Sequence, residues 1–369
     1  MRVTVDAAPL LYRSAGVKNY LYHWIRHLLR EAGGIEIRLF PSLDEPRVLD
    51  HNSSGADLVT TVTRLGLIYA LNRIPFGLAR CAGPRPDVFH SSVLKYPPQS
   101  ARLTATLYDL TWQLMPEMHS PANVAAERAF AEGVVRRADR LIAISEATRA
   151  DAVRILNLAP EKIDVIYPGV AEGFSRAGTA EAEAARARLG LVRPYALFVG
   201  TIEPRKNVGL LLDAWAGLPR ALRDQFDLVV AGPPGWRQRE TLARLRNPAP
   251  GVRYLGYVPE SDLPGLVAGA TAFVYPSLYE GFGFPVAQAM AAGVPVVTSA
   301  VSSLPEIAGG AAELVDPRSP TELMRALEDV LTSPERRRRM IERGRANALR
   351  FSWSECARRS IAFFREAAG

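Results

Sequence analysis

Near-continuous apolar runs recur along the chain: Val3–Asp6, Ile35–Phe40, Asp87–His90, Leu103–Leu107, Leu141–Ile144 and Ile163–Ile166. Helix-length amphipathic stretches separate them. Strands buried on both faces read as unbroken apolar runs, so this alternation predicts an α/β protein with a parallel sheet. After Phe174 the pattern breaks into an Ala/Glu/Arg-rich stretch, Ala177 to Leu189. It restarts with Tyr195–Val199, Asp227–Val230, Val252–Leu255, Thr271–Tyr275 and Val294–Val297. Two such systems in series predict two Rossmann-like doubly wound domains, residues 1–174 and 175–350. Ligands of such sheets bind at the strand carboxyl ends, so two facing sheets would place the site in a cleft between them.

Local signals support several helices. Ser145 is placed to cap a helix after the strand ending at Ile144, and Ser319-Pro320 suits the start of a helix running to about Thr332. Residues 351–369 read as a terminal helix, with Trp353, Ile361, Phe363 and Phe364 as its apolar content, packing back toward the N-terminal domain.

Composition narrows the class. The 369 residues are 48% hydrophobic and 22% charged, which excludes disordered and collagen-like chains and is long enough for two domains. Lys and Arg number 45 against 38 Asp and Glu, a net charge of +7. Only Lys18, Lys95, Lys162 and Lys206 are lysines, and the excess is diffuse apart from Arg336–Arg339. A nucleic-acid-binding protein would gather that charge on one face, so this class is set aside. Cys81 and Cys356 have no metal or redox spacing, and the N-terminus shows no signal-peptide h-region, so a reducing cytoplasm is expected. Residues 281–305 carry no charge but contain Pro285, Gly293, Pro295 and Pro305, which reads as helix, turn and strand and not as a membrane span.

The densest chemical signal runs from Tyr279 to Val297. It reads as a strand end, Glu280, a glycine-bearing turn, then a helix with Pro285 near its first position. Glycines let the backbone approach a ligand closely, and the free N–H groups of a helix start suit an anion. Glu280 and Gln288 would then face one ligand from the turn and from the second helical turn. The alternative is a tight βα turn with incidental polar residues.

This stretch resembles the signature of the retaining glycosyltransferases of family four, whose pattern is Glu, seven residues, Glu, within a Glu-Gly-Phe-Gly-Leu-Pro-type turn. The segments Phe198–Asn207, Ala138–Thr148, Ile166–Gly169 and Phe351–Trp353 are also similar to that family. The resemblance spans about Gly16 to Trp353 and implies the GT-B fold, two Rossmann-like domains facing a deep cleft, with the donor in the C-terminal domain. It implies a hexosyltransferase, mannosyl or glucosyl, acting from a nucleotide-diphosphate sugar, with no further cofactor. Acceptors of such enzymes are glycans, lipid-linked sugars or natural products.

The resemblance also implies roles. Arg205 and Lys206, after the strand Tyr195–Val199 and Gly200, would contact the donor diphosphate. Independently of it, fixed cations there would stabilise charge on a departing diphosphate. Glu280 would hold hydroxyls of the transferred sugar, with Phe282, Gly283 and Phe284 along sugar and phosphates. The loop Gly256–Leu263 resembles the base-binding edge, where Val258 and Leu263 could flank the base or equally belong to the core. Gly16, in Ser14–Tyr20, would lie against the diphosphate.

Two positions depart from the pattern. Gln288 stands where the second acid would hold the ribose, and an amide lacks the charge-assisted strength of a carboxylate. Tyr108, followed by Asp109, stands where the family has histidine, and a phenol is a poor proton acceptor at neutral pH. His90 and His119 fall in family-like segments and read as structural.

No Asp-x-Asp occurs, so metal-independent transfer is expected. Residues 20–30 interleave Leu21, Trp24, Ile25, Leu28 and Leu29 with His23, Arg26, His27 and Arg30. Such a helix could lie on an anionic membrane face, although packing on its own sheet is favoured. Two alternatives remain: a nucleotide-sugar 2-epimerase, and a non-catalytic nucleotide- or glycan-binding protein, which the departures at Tyr108 and Gln288 would suit.

Overall fold

The computed structural model describes residues 1–11, 16–43, 49–50, 54, 56–72, 85–94 and 101–369. Ser14, Cys81 and Lys95 lie outside the described residues. By its internal contacts the chain divides into two compact units, residues 1–169 with 351–369, and residues 170–350.

The first unit holds a six-stranded parallel sheet: β1 (Arg2–Asp6), β2 (Glu36–Phe40), β3 (Val88–Ser91), β4 (Arg102–Leu107), β5 (Arg140–Ala143) and β6 (Ile163–Val165), in the order β2-β1-β3-β4-β5-β6. The second holds another: β7 (Tyr195–Val199), β8 (Asp227–Ala231), β9 (Val252–Gly256), β10 (Ala272–Tyr275), β11 (Val296–Ser299) and β12 (Glu313–Val315), in the order β12-β11-β10-β7-β8-β9. Ser145 caps the helix Glu146–Leu156 by accepting from the Thr148 N–H, and Ser319 caps Pro320–Thr332 in the same way. The broken stretch after Phe174 is itself helical, Thr179–Leu189.

The division falls after Gly169 and not at 174. The reason is Phe174, buried on the short helix Glu172–Arg176, which packs on the helices Leu263–Ala268 and Phe284–Ala291 of the second unit. The terminal helix Trp353–Ala368 belongs to the first unit and packs along the helix Gly16–Glu31. Its entry is close: a Cβ on Gly169 would sit 2.2 Å from the Trp353 backbone nitrogen, so only glycine fits there. Tyr167 meets Phe351 edge-on at 5.9 Å beside it.

This packing matches the reading favoured for residues 20–30, a packed helix, over the membrane alternative. Tyr20, Leu21, Trp24, Ile25 and Leu28 are buried in the unit's own core, so that apolar face has no surface to offer a bilayer. Among the described residues no helix is long and apolar enough to cross a membrane.

Candidate active site

In the second sheet the strand order reverses between β7 and β10. Loops leaving two adjacent strands at such a point turn to opposite faces and open a crevice at the carboxyl edge. Residues 200–206 leave β7, and residues 276–283 leave β10. The two loops are tied together, because the Leu278 N–H donates to the Arg205 carbonyl at 2.8 Å.

The chemistry-bearing side chains converge between them. Lys206 Nζ donates to Glu280 Oε1 at 2.5 Å and to the Tyr275 hydroxyl at 2.6 Å. Oε1 also accepts from Ser277 Oγ at 2.6 Å and from Tyr275 Oη at 3.0 Å. Arg205 Nη1 lies 2.9 Å from Glu280 Oε2, and Arg205 Nη2 donates to Glu203 Oε1 at 2.8 Å. The Glu280 backbone is pinned as well: its N–H donates to Ser302 Oγ, and its carbonyl accepts from Ser303 Oγ, both at 2.9 Å.

Two cations and two carboxylates thus balance in a buried cluster. Burial alone would raise the Glu280 carboxyl, but Arg205 and Lys206 outweigh it and hold its pKa at about 2. Lys206 is pulled down by burial and by Arg205, against the opposing pull of Glu280 and Glu203. Burial pushes the Tyr275 phenol well above its ordinary value, so it remains an O–H donor through the neutral range.

Past Glu280 the chain turns into the helix Phe284–Ala291 through Gly283, at φ +99°. That backbone conformation favours glycine, and a Cβ there would also press on Leu304 Cδ2 at 2.8 Å. Phe282 is 2% exposed and its ring packs, which leaves only its backbone at the turn, while Phe284 meets it edge-on at 5.0 Å and stays half-buried. Gln288 is half-buried one helical turn beyond Phe284. At Gly200 an added Cβ would be tight against Phe198, 3.3 Å away, but the stricter demand falls on Gly232, where a Cβ would lie 1.9 Å from the Gly200 carbonyl oxygen. Val258 and Leu263 follow β9 at the same end of the sheet. Val258 is 4% exposed and packs inward, so of the two only Leu263 keeps surface at this edge.

Gly16, Tyr108 and Asp109 belong to the first unit. Gly16 opens its helix with nothing within 4 Å of an added Cβ. Tyr108 follows β4; its hydroxyl is buried beside Ser92 and Thr106 without reaching hydrogen-bond geometry, and burial raises the phenol. Asp109 Oδ1 accepts from the Thr111 N–H at 3.0 Å and the Thr111 hydroxyl at 2.6 Å, a local turn-holding role. His90 is fully buried between the Thr104 and Thr106 hydroxyls, and burial lowers its pKa to about 3, so it is neutral and structural. His119 Nδ1 pairs with Asn123 at 3.1 Å.

Sequence reasoning assembled Arg205, Lys206 and Glu280 but missed Glu203, Tyr275, Ser277, Ser302 and Ser303. The available signal was position: Tyr275 ends β10 and Ser277 follows two residues later, where a βα loop begins. Among the described residues no group of three or more His, Cys, Asp or Glu side chains is arranged to hold a metal ion.

Comparison with known proteins bears on this geometry. The family model for Glycosyl transferases group 1 matches residues 181–347, and that for Glycosyltransferase Family 4 matches residues 14–173. The O-antigen chain mannosyltransferase B of Escherichia coli is 31% identical over 98% of this chain and 98% of its own. A D-inositol 3-phosphate glycosyltransferase of a Nocardioides species is 32% identical over 69% of this chain and 62% of its own. Among solved structures, sucrose-phosphate synthase from Thermosynechococcus elongatus aligns with a TM-score of 0.76 at 22% identity, covering 99% of this chain and 98% of that one. Anabaena HepE, solved in complex with UDP and glucose, aligns with a TM-score of 0.71 at 19% identity, covering 99% and 100%. With a relative 31% identical over 98% of both chains, and a reversed parallel sheet carrying Arg205, Lys206 and Glu280 at its switch point, the chain belongs to the group 1, family four glycosyltransferases and has their GT-B fold.

Proposed function

We propose that this glycosyltransferase moves a hexosyl unit, mannosyl before glucosyl, from a nucleotide-diphosphate sugar to a glycan or lipid-linked acceptor, with retention at the anomeric carbon. The observation that carries the reading is the meeting of Arg205, Lys206 and Glu280 at the β7/β10 switch point. Two cations fixed at strand ends suit a diphosphate leaving group, whose charge grows as the glycosidic bond breaks. A buried carboxylate held ionised beside them suits the hydroxyls of the transferred sugar. The mannosyl preference leans on the full-length relative, a mannosyltransferase by name.

In this reading the unit of residues 170–350 binds the donor, and the unit of residues 1–169 with 351–369 takes the acceptor. Charge neutralisation by Arg205 and Lys206 makes the transfer metal-independent.

A second reading, a non-catalytic nucleotide- or glycan-binding protein, draws on Gln288 and on the buried Tyr108 hydroxyl. A screen of nucleotide sugars for donor hydrolysis and transfer, run with and without prolonged chelation, separates the two. Turnover of one hexose donor that survives chelation supports transfer. Binding of nucleotide sugars with no turnover of any supports the second reading, and activity that returns only with Mg²⁺ or Mn²⁺ removes metal independence.

A further inference from the structure

Glu280 is held by two sets of partners from two different loops. Arg205 and Lys206 come from the loop after β7, whereas Tyr275 and Ser277 come from the same β10 exit as Glu280 itself. A diphosphate that engages Arg205 and Lys206 competes with Glu280 for them. A carboxylate that loses both cations in a buried site must then be held by something else, or it swings after them. The hydroxyls of Ser277 and Tyr275, at 2.6 and 3.0 Å, both point at Oε1, and the cation reaching Oε2 is Arg205.

We propose that Ser277 and Tyr275 are positioning residues that clamp Glu280 Oε1, so that Oε2 stays directed at the transferred sugar when the diphosphate draws Arg205 and Lys206 away. The Ser302 and Ser303 hydroxyls complete the clamp by fixing the Glu280 backbone on both sides. Tyr275 also accepts from Lys206 at 2.6 Å, so its oxygen receives the ammonium on one side and gives its proton to the carboxylate on the other. Because the phenol stays protonated through the neutral range, it keeps that donor role when Lys206 turns to phosphate.

The proposal rests on the donor-site reading above, and its test separates the two. UDP, GDP and ADP, and their glucose and mannose derivatives, are titrated calorimetrically against the whole protein, and kcat/KM is measured with the donor that turns over. Ser277→Ala and Tyr275→Phe should each lower kcat/KM by about tenfold while nucleoside-diphosphate affinity stays within about threefold, since the diphosphate lacks the sugar that Glu280 serves. Ser277→Thr, which restores the hydroxyl, should recover most of the loss, and thermal unfolding shows whether each variant is folded. Equal losses for the diphosphate and the sugar donor, unchanged turnover in both variants, or no recovery in Ser277→Thr would each overturn the clamp. Wild-type protein that binds none of the nucleoside diphosphates would instead overturn the donor-site reading.

Discussion

The indole N–H of Trp24 donates to Ser360 Oγ at 2.9 Å, joining the first long helix of the chain to its last across a separation of 336 positions. Trp24 is fully buried, and Phe364 packs near its ring at 6.1 Å. The Ser360 hydroxyl meanwhile donates to the Cys356 carbonyl at 2.8 Å, so both of its hydrogen-bonding roles are used.

Removing that acceptor leaves a buried indole N–H unpaired. Ser360→Ala is expected to cost about 1–3 kcal/mol, the desolvation penalty of one orphaned donor. Trp24→Ala, which opens a cavity as well, is expected to cost about 3–5 kcal/mol. Urea unfolding of both variants measures the difference; an unchanged midpoint in Ser360→Ala would mean that the contact adds nothing.

Lys206→Ala is expected to lower kcat by about 10²-fold, the loss of one preorganised charge at the leaving group. Steady-state kinetics with the natural donor decides it, and wild-type turnover would take Lys206 out of the mechanism.

For Glu280 the expectation concerns both binding and pH. Glu280→Gln should damage turnover far more than nucleoside-diphosphate affinity; equal losses would place the residue on the nucleotide or in the fold. Its carboxyl is depressed in the folded protein, to about 2. Its pairing therefore supports the fold fully above the ordinary carboxyl range, and that support is lost as pH falls through about 2. An acid-unfolding midpoint that does not move between wild type and Glu280→Gln would contradict this linkage.

Gln288 and Tyr108 test the departures from the family pattern. If Gln288 serves the ribose, Gln288→Glu should tighten nucleoside-diphosphate binding by roughly fivefold, because a charged acceptor strengthens the bond. Tyr108→His should alter turnover or sugar preference and leave diphosphate affinity within about twofold. Calorimetry on both variants answers the question; the reverse pattern would show that the two roles are misplaced.

Much of this molecule was legible from its residues in order. Strands such as Leu228–Ala231 and Phe273–Tyr275 are buried on both faces, so nothing polar interrupts them and they stand out as apolar runs. Glu280, Gly283 and the Arg205-Lys206 pair could also be chosen from local pattern, since a glycine-bearing turn and a basic pair, each after a strand, mark their own positions. The short edge strand Glu313–Val315 carried no such run and was invisible.

Other features were decided only by the tertiary fold. Arg205 and Glu280 lie 75 positions apart and meet because the reversal of strand order sets β7 beside β10, an adjacency that no local pattern encodes. Residues 20–30 left a membrane face open beside the favoured packed face, because amphipathicity tells which side is apolar and not what covers it. The terminal helix covers it here. Tyr275 ends a strand and Ser277 follows it, and only the closing of the turn aimed both hydroxyls at one carboxylate oxygen. Side-chain periodicity is a property of neighbours in sequence, whereas a site is made by neighbours in space, and the sheet order alone converts one into the other.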